Sequence, residues 1–187
     1  RIVPANAAAI IEVPSPLSAW ERFKSTSQAW NGWSGYPGCR AVDSIMVSLR
    51  ERFDGQEGSA SLAASSTMVI VLTAAESGFN VTLCWSFSDK RAIERFKTLL
   101  PEISSGRSVI AATSSLPAME CAVKNGMLLV STSTQELTDA VARFDGSSAN
   151  PDSLLTAARN SLGEGSDAHL LVHLGRGQRL LNTWLMP

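Results

Sequence analysis

Runs of apolar residues, some alternating with polar ones and some continuous, predict the strands of this chain. Phe79 to Phe87 alternates strictly, with a large apolar side chain at every second position, so one face of this strand is apolar. Thr67 to Thr73 is β-branched and almost continuously apolar, as a strand buried on both faces is. Glu76, Ser77 and Gly78 lie between the two runs and supply a turn, which predicts a β-hairpin.

A second hairpin is predicted at Asn125-Gly126. This dipeptide separates two strand-like runs, Ala118–Lys124 and Met127–Thr132. A two-residue type I′ turn needs positive φ at both central positions, which Asn-Gly adopts most readily. Two shorter strands are expected at Ala7–Glu12 and Val109–Thr113.

Helices are predicted where apolar residues recur every three or four positions. Ser15 is expected to cap the first one, because Pro16 suits the position after a cap, where its missing N–H would be unbonded anyway. Ser133 and Glu136 have the spacing of a capping box. The predicted helices begin at or near Ser15, Cys39, Ser88, Ser133 and Asn150.

The opening of the chain and its C-terminal residues follow the same plan, a short apolar strand and then a helix. Without a gap, Asn6–Val13 aligns with Asp167–Leu174: a turn-forming residue, an apolar stretch, one polar residue and one apolar residue. Trp20 and Trp184 follow in the two predicted helices. The alignment predicts a structural repeat. Residues 1–164 would be one unit, and residues 165–187 the first strand and helix of a second unit packed on the first.

Hairpins dominate the predicted elements, and strands outnumber what a βαβ series needs. The expected fold class is therefore α+β, with a mostly antiparallel sheet of hairpins and helices packed against it. The chain has 187 residues, enough for one core that folds unaided.

Charge and hydropathy exclude two classes of partner. The formal net charge is −1 and the basic residues are scattered, so neither a nucleic acid nor an anionic membrane surface is expected to bind. No apolar run reaches the roughly 18 residues that a membrane span needs. Membrane attachment is therefore expected only through a segment outside these residues.

The cysteines and histidines do not have the spacing of a metal site. Cys84 and Cys121 lie in predicted strands, where a free cysteine packs as a small hydrophobe, and a bridge between them is the alternative. His169 and His173 could share an ion on a helix. On the strand that their neighbours favour, they would be about 13 Å apart, too far for one ion. The sequence therefore predicts no metal.

The remaining motifs predict no cofactor and no catalytic residue. Gly175-Arg176-Gly177 follows a predicted strand as a phosphate loop would, but Leu180 stands where a dinucleotide fingerprint needs a third glycine. No GxSxG nucleophile elbow occurs in the sequence.

Trp30, Trp33 and Tyr36 are the candidates for ligand binding. They lie close together among glycines, and exposed aromatic rings stack on sugars and protein partners. Packing in the core is the alternative, because large aromatic side chains are mostly buried.

Three segments resemble a family of uncharacterised bacterial envelope proteins that is known only as a domain of unknown function: Val3–Val13, Glu120–Val141 and Gly165–Leu174. Asn6 stands where that family usually has Asp. The resemblance implies repeated α+β units in a membrane-anchored protein, such as a lipoprotein, located in the cell envelope and periplasmic or surface-exposed. It supplies no catalytic residues.

The functional expectation is a non-enzymatic module of a secreted or membrane-anchored envelope protein, with an interaction or scaffolding role. The alternative is a domain that binds a glycan or another small ligand through the Trp30–Tyr36 segment. A hydrolase with an unrecognised site is a third hypothesis. The partner would be a protein or a glycan.

Overall fold

The computed structural model describes residues 3–35, 40, 43–44, 46–47, 50–51, 66–75, 78–87, 94, 107–110, 118–144, 157–158, 160–161 and 168–178. Its regular elements, in chain order, are β1 (Ala7–Pro14), α1 (Pro16–Thr26), α2 (Gln28–Trp33), β2 (Ser66–Ala75), β3 (Gly78–Phe87), β4 (Arg107–Ile110), β5 (Met119–Lys124), β6 (Met127–Ser131), α3 (Thr134–Phe144) and β7 (His169–Val172). The helices predicted from Ser88 and Asn150 fall mainly outside the described residues.

The described strands form one sheet of seven, in the order β4-β5-β6-β3-β2-β1-β7. Every neighbouring pair is antiparallel. The predicted α+β class with an antiparallel sheet is therefore confirmed, as are the β2–β3 and β5–β6 hairpins. Asn125 and Gly126 have φ angles of 49° and 78°, both in the left-handed region that a type I′ turn requires.

A helix covers each face of the sheet. Side chains alternate between the two faces along each strand, and the face covered by α1 is named here the α1 face. Its buried cluster consists of Leu17, Trp85, Phe87, Cys121 and Leu128. The opposite face, named the α3 face, is covered by α3. The buried cluster there consists of Cys84, Ala122, Leu129, Leu137 and Ala140. The sheet is thus the middle layer of the described structure.

The predicted side-chain cap of α1 is wrong. Ser15 precedes the helix, but its side chain makes no capping hydrogen bond. Its backbone is left-handed, with φ 48°, and turns the chain out of β1 into α1. The Ser15 N–H donates to the Ser66 carbonyl at 2.8 Å, so the corner is held by β2. By contrast, half of the capping box predicted at Ser133 is present, because Ser133 Oγ accepts the Glu136 N–H at 3.3 Å. The Ser133 N–H, which a full box would bond to the Glu136 side chain, donates to Ser131 Oγ at 3.1 Å.

The C-terminal segment adds a strand and the start of a helix. β7 pairs with β1 and ends at Val172, and residues 174–178 are helical, so the strand predicted up to Leu174 is two residues too long. His173 begins this helix, since its Nδ1 accepts the Arg176 N–H at 3.3 Å. Gly175 and Gly177 therefore lie inside a helical turn and not in a loop before it. That residues 165–187 begin a second unit stays a prediction.

No helix in the described part of the chain is long and apolar enough to cross a membrane.

Candidate functional site

The outer edge of β7 is the candidate site, and backbone direction defines it. β7 is the last strand in the sheet order, next to β1. The His173 N–H donates to the Ala8 carbonyl at 2.9 Å, so His173 faces β1. Successive residues of a strand direct their N–H and C=O groups to opposite sides. The N–H and C=O groups of Leu171 therefore also point toward β1. The N–H and C=O groups of Leu170 and Val172 point outward, where no described strand pairs with them.

An exposed apolar side chain accompanies these outward peptide groups. Leu170, within the strand, is 62% exposed. Leu174 is 74% exposed but belongs to the helical residues 174–178, outside the ladder. A single exposed leucine on a surface is ordinary. Beside unpaired ladder groups it is part of a template for strand addition.

β7 lacks two of the devices that protect an edge strand, charged residues and proline, although its length of four residues is a third such device. Its sequence is His-Leu-Leu-Val, without Lys, Arg, Asp, Glu or Pro. Natural sheets place charges or proline on exposed edges to prevent pairing with another chain. The other outer strand, β4, begins with Arg107, although Val109 within it is 65% exposed. Of the two edges, the one formed by β7 is the less protected by charge.

A buried polar pair lies behind this edge. His169 of β7 is the register partner of Glu12 of β1, and Glu12 is only 8% exposed. His169 Nε2 is buried and has no hydrogen-bond partner among the described residues. No group of three metal-ligating side chains occurs in the described part of the chain. The pair therefore places polar atoms inside the sheet without forming a described metal centre.

A second polar cluster joins α3 to the sheet. Glu136, in the first turn of α3, accepts a hydrogen bond from Thr73 Oγ1 at 2.9 Å and one from Asn6 Nδ2 at 3.5 Å. Thr82 and Ser131 bond to each other through their hydroxyls at 2.9 Å. Glu136 thus joins α3 to β2 and to the residue before β1, and the Thr82–Ser131 bond joins β3 to β6.

Trp30, one of the predicted ligand-binding residues, packs inside an aromatic cluster. Its ring lies edge-on to Trp20, with centroids 5.2 Å apart, and to Phe23 at 5.9 Å. These contacts hold α2 against α1. The Trp33 side chain and all of Tyr36 lie outside the described residues. A role for Trp30, Trp33 and Tyr36 in binding stays a prediction, and for Trp30 the described contacts support the packing alternative.

Asp43 bonds to two side chains of α1, one of which, Trp20, belongs to this aromatic cluster. Its Oδ1 accepts hydrogen bonds from Lys24 Nζ at 2.8 Å and from Trp20 Nε1 at 3.0 Å. The Lys24 bond, followed by the Trp20 bond, lowers the pKa of the Asp43 carboxyl. A carboxyl whose pKa is lowered by folding stabilises the protein above its unfolded pKa and loses that contribution as the pH falls. The hydrogen bonds of Asp43 to Lys24 and Trp20 therefore stabilise the protein more at neutral than at acid pH.

The two described cysteines are free, and a bridge between them is excluded. Cys84 lies in the cluster on the α3 face and Cys121 in the cluster on the α1 face. Side chains on opposite faces of a sheet cannot reach the short Cβ separation that a disulfide needs. Burial raises the pKa of the Cys84 thiol to about 12, against a smaller opposing effect of Arg143. Cys84 is therefore a packed thiol and not a nucleophile.

We predict that neither thiol reacts with a thiol reagent at pH 8 while the protein is folded. In a Cys39→Ser background, Ellman's reagent should label less than about a tenth of the two thiols in native buffer and both in denaturant, because the thiolate is the reacting form. Rapid labelling of Cys84 in native buffer would contradict its burial.

The same pKa shift predicts a loss of stability at alkaline pH. The Cys84 pKa rises on folding from 9.0 to about 12, so the folded state keeps the proton more tightly. The contribution of the protonated Cys84 thiol to the free energy of unfolding is complete below about pH 9 and is lost as the pH rises toward 12. Measured by urea denaturation, the free energy of unfolding should fall more steeply between about pH 9 and 12 for the wild type than for Cys84→Ala. An equal fall in both proteins would contradict the shift.

The fold and the edge together define an α+β protein with helices on both faces of an antiparallel sheet and an outer strand, β7, without charged or proline residues. No family model, no curated protein and no solved structure matches this chain.

Proposed function

We propose that this chain is a non-enzymatic interaction module of a bacterial envelope protein, and that it associates through the outer edge of β7. The envelope location follows from the resemblance of Val3–Val13, Glu120–Val141 and Gly165–Leu174 described above. The partner binds by strand addition: its backbone continues the ladder and its side chains meet Leu170.

One observation carries the proposal: β7 presents outward peptide groups and an exposed Leu170 without any charged or proline residue to prevent pairing. The described thiols and the Thr82–Ser131 hydroxyl pair are buried in the sheet.

The test is binding of extended peptides. A panel of about ten-residue, apolar, β-branched peptides with lysines at both ends is titrated by fluorescence anisotropy against the whole chain. Leu170→Pro removes one outward N–H, and proline is tolerated on an edge strand where its N–H would face away from the sheet. Binding of at least some peptides should weaken about tenfold, the effect of one lost hydrogen bond and its neighbouring contacts.

Leu174→Ala is the matched control, because Leu174 is equally apolar and exposed but lies after the strand. It should leave peptide binding unchanged. If no peptide of the panel binds the wild type, or if Leu170→Pro binds as tightly as the wild type, the strand-addition function is wrong.

A further inference from the structure

We infer that His173 is a pH-sensitive latch, which holds β7 and the C-terminal helix (residues 174–178) against β1 while its imidazole is neutral. Protonation of the ring in mild acid opens the latch. β7 carries the candidate binding edge, so the latch would control when that edge is in place. This consequence rests on the proposed function, whereas the latch itself does not.

His173 makes hydrogen bonds to both the strand and the helix. Its N–H donates to the Ala8 carbonyl at 2.9 Å, which continues the pairing of β7 with β1. Its Nδ1 accepts the Arg176 N–H at 3.3 Å, and its carbonyl accepts the Gly177 N–H at 2.6 Å. A side chain that accepts the N–H of the third helical residue is an N-cap. One residue therefore ends the strand and begins the helix.

Packing couples the helix to the same point of β1. A Cβ on Gly177 would lie 3.4 Å from the Ala8 carbonyl oxygen, the atom that accepts the His173 N–H. The side chain of Arg176 also reaches β1, because its Nη1 lies 3.5 Å from the Ala7 carbonyl oxygen. A change that loosens the first turn of the helix is therefore expected to loosen the end of β7 as well.

The cap requires a neutral imidazole. In the neutral ring one nitrogen carries a proton and the other accepts, so the bond from Arg176 needs an unprotonated Nδ1. In the imidazolium both ring nitrogens are donors, and the Nδ1 proton would point at the Arg176 N–H. The added positive charge would also lie at the N-terminus of a helix, where the backbone N–H groups repel it. The protonated ring is thus compatible with a released segment and not with the cap, so acid favours release.

Two charged side chains of neighbouring elements act on a protonated His173 in opposite directions. Arg176 belongs to the same helical turn and adds to the repulsion. Glu136 of α3 is an acidic group near the start of β1, but its Oε1 already accepts bonds from Thr73 Oγ1 and Asn6 Nδ2. Its attraction for a charge at His173 is therefore reduced by the bonds that it makes within the sheet.

His169, at the other end of β7, titrates in the same pH range and has the opposite expected effect. Its register partner is Glu12, the acidic residue of β1, which would attract a protonated His169 and favour docking. Four residues of strand separate His169 from His173, about 13 Å along the chain. The test therefore compares two proteins that both retain His169.

NMR on the whole chain tests the latch in two ways. Ring nitrogen shifts of the wild type at about pH 7.5 should show His173 with an unprotonated Nδ1 and a proton on Nε2. The second measurement is the exchange protection of the His173 and Arg176 amides, corrected for the intrinsic pH dependence of exchange. Between about pH 7.5 and 5.5, where an imidazole gains its proton, this protection should fall about fivefold relative to the control variant.

His173→Asn is the control, because the asparagine side chain is a good N-cap that does not titrate. Its protection should change by no more than about twofold over the same range. An equal pH dependence in both proteins overturns the latch. So does a proton on Nδ1 of His173 at about pH 7.5, a result that needs no variant. No peptide is used, so the absence of peptide binding would end the proposed function and leave this test intact.

Discussion

Leu137→Ala is expected to lower the free energy of unfolding by about 2–5 kcal/mol, the range for removing a large aliphatic side chain from a packed core. Leu137 is 1% exposed and lies in the cluster that joins α3 to the sheet, together with Leu129 and Cys84. Its loss leaves a cavity between two rigid layers that cannot close over it. Urea denaturation followed by circular dichroism measures the change.

Leu170→Ala is the control for this measurement. The same chemical change at a residue that is 62% exposed should alter the free energy of unfolding by no more than about 0.5 kcal/mol. If the two variants were equally stable, α3 would not be packed on the sheet as described.

Gly177→Ala is expected to destabilise the protein by about 1–3 kcal/mol, although alanine favours a helix by up to about 1 kcal/mol over glycine. The steric clash of an added Cβ opposes the gain in helix propensity, and the distance from that Cβ to its neighbours shows that the clash is the larger effect. A Cβ on Gly177 would lie 2.6 Å from Val172 Cγ1 and 3.4 Å from the Ala8 carbonyl oxygen. Such an atom would push the C-terminal helix away from β7 and β1. Thermal or urea unfolding measures the net change.

Two companion variants separate the steric effect from helix propensity. Gly175→Ala lies in the same helix, but its Cβ would meet only the His173 ring, at 3.5 Å, which is an ordinary contact. It should be neutral or stabilising. Val172→Ala should recover most of the stability lost in Gly177→Ala, in a double-mutant cycle with a coupling above about 0.5 kcal/mol. Equal stabilisation by both glycine replacements would show that the helix does not lie against Val172.

The hairpins were predictable because local chemistry fixes them. Asn125-Gly126 needs only its own backbone preferences to turn, and the alternation from Phe79 to Phe87 assigns each side chain to one face without knowledge of the partner strands. The start of α3 was predictable for the same reason, since Ser133 bonds to the third residue of its own helix. In these places propensity, pattern and packing favour the same structure.

The failures occur where tertiary contacts override local preference. Ser15 has a left-handed backbone in place of the extended one typical of an N-cap, and its N–H bonds to Ser66, which is far away in sequence. β4 was expected to begin at Val109 and begins at Arg107, because pairing with β5 sets its position, while residues 111–113 of the prediction lie outside the described residues. α2 is a separate helix that includes Gly32, whereas the sequence predicted no helix start between Ser15 and Cys39.

The candidate site was visible in the sequence only in part. The strand at His169–Val172 was predicted, but its place at the sheet edge was not, because strand order is a property of the whole fold. The sequence left open whether Trp30, Trp33 and Tyr36 bind a ligand or pack in the core. Trp30 packs on Trp20 and Phe23. The absence of charge in β7 was the available signal for the edge.

Amide hydrogen exchange of β7, measured by NMR on the whole chain, tests the central claim most directly. If β7 pairs with β1 alone, the Leu171 and His173 amides should exchange slowly, since they face β1, as the 2.9 Å bond from His173 to Ala8 shows. The Leu170 and Val172 amides should exchange at least about tenfold faster. Slow exchange at Leu170 and Val172, with fast exchange at Leu171, would contradict the open outer edge.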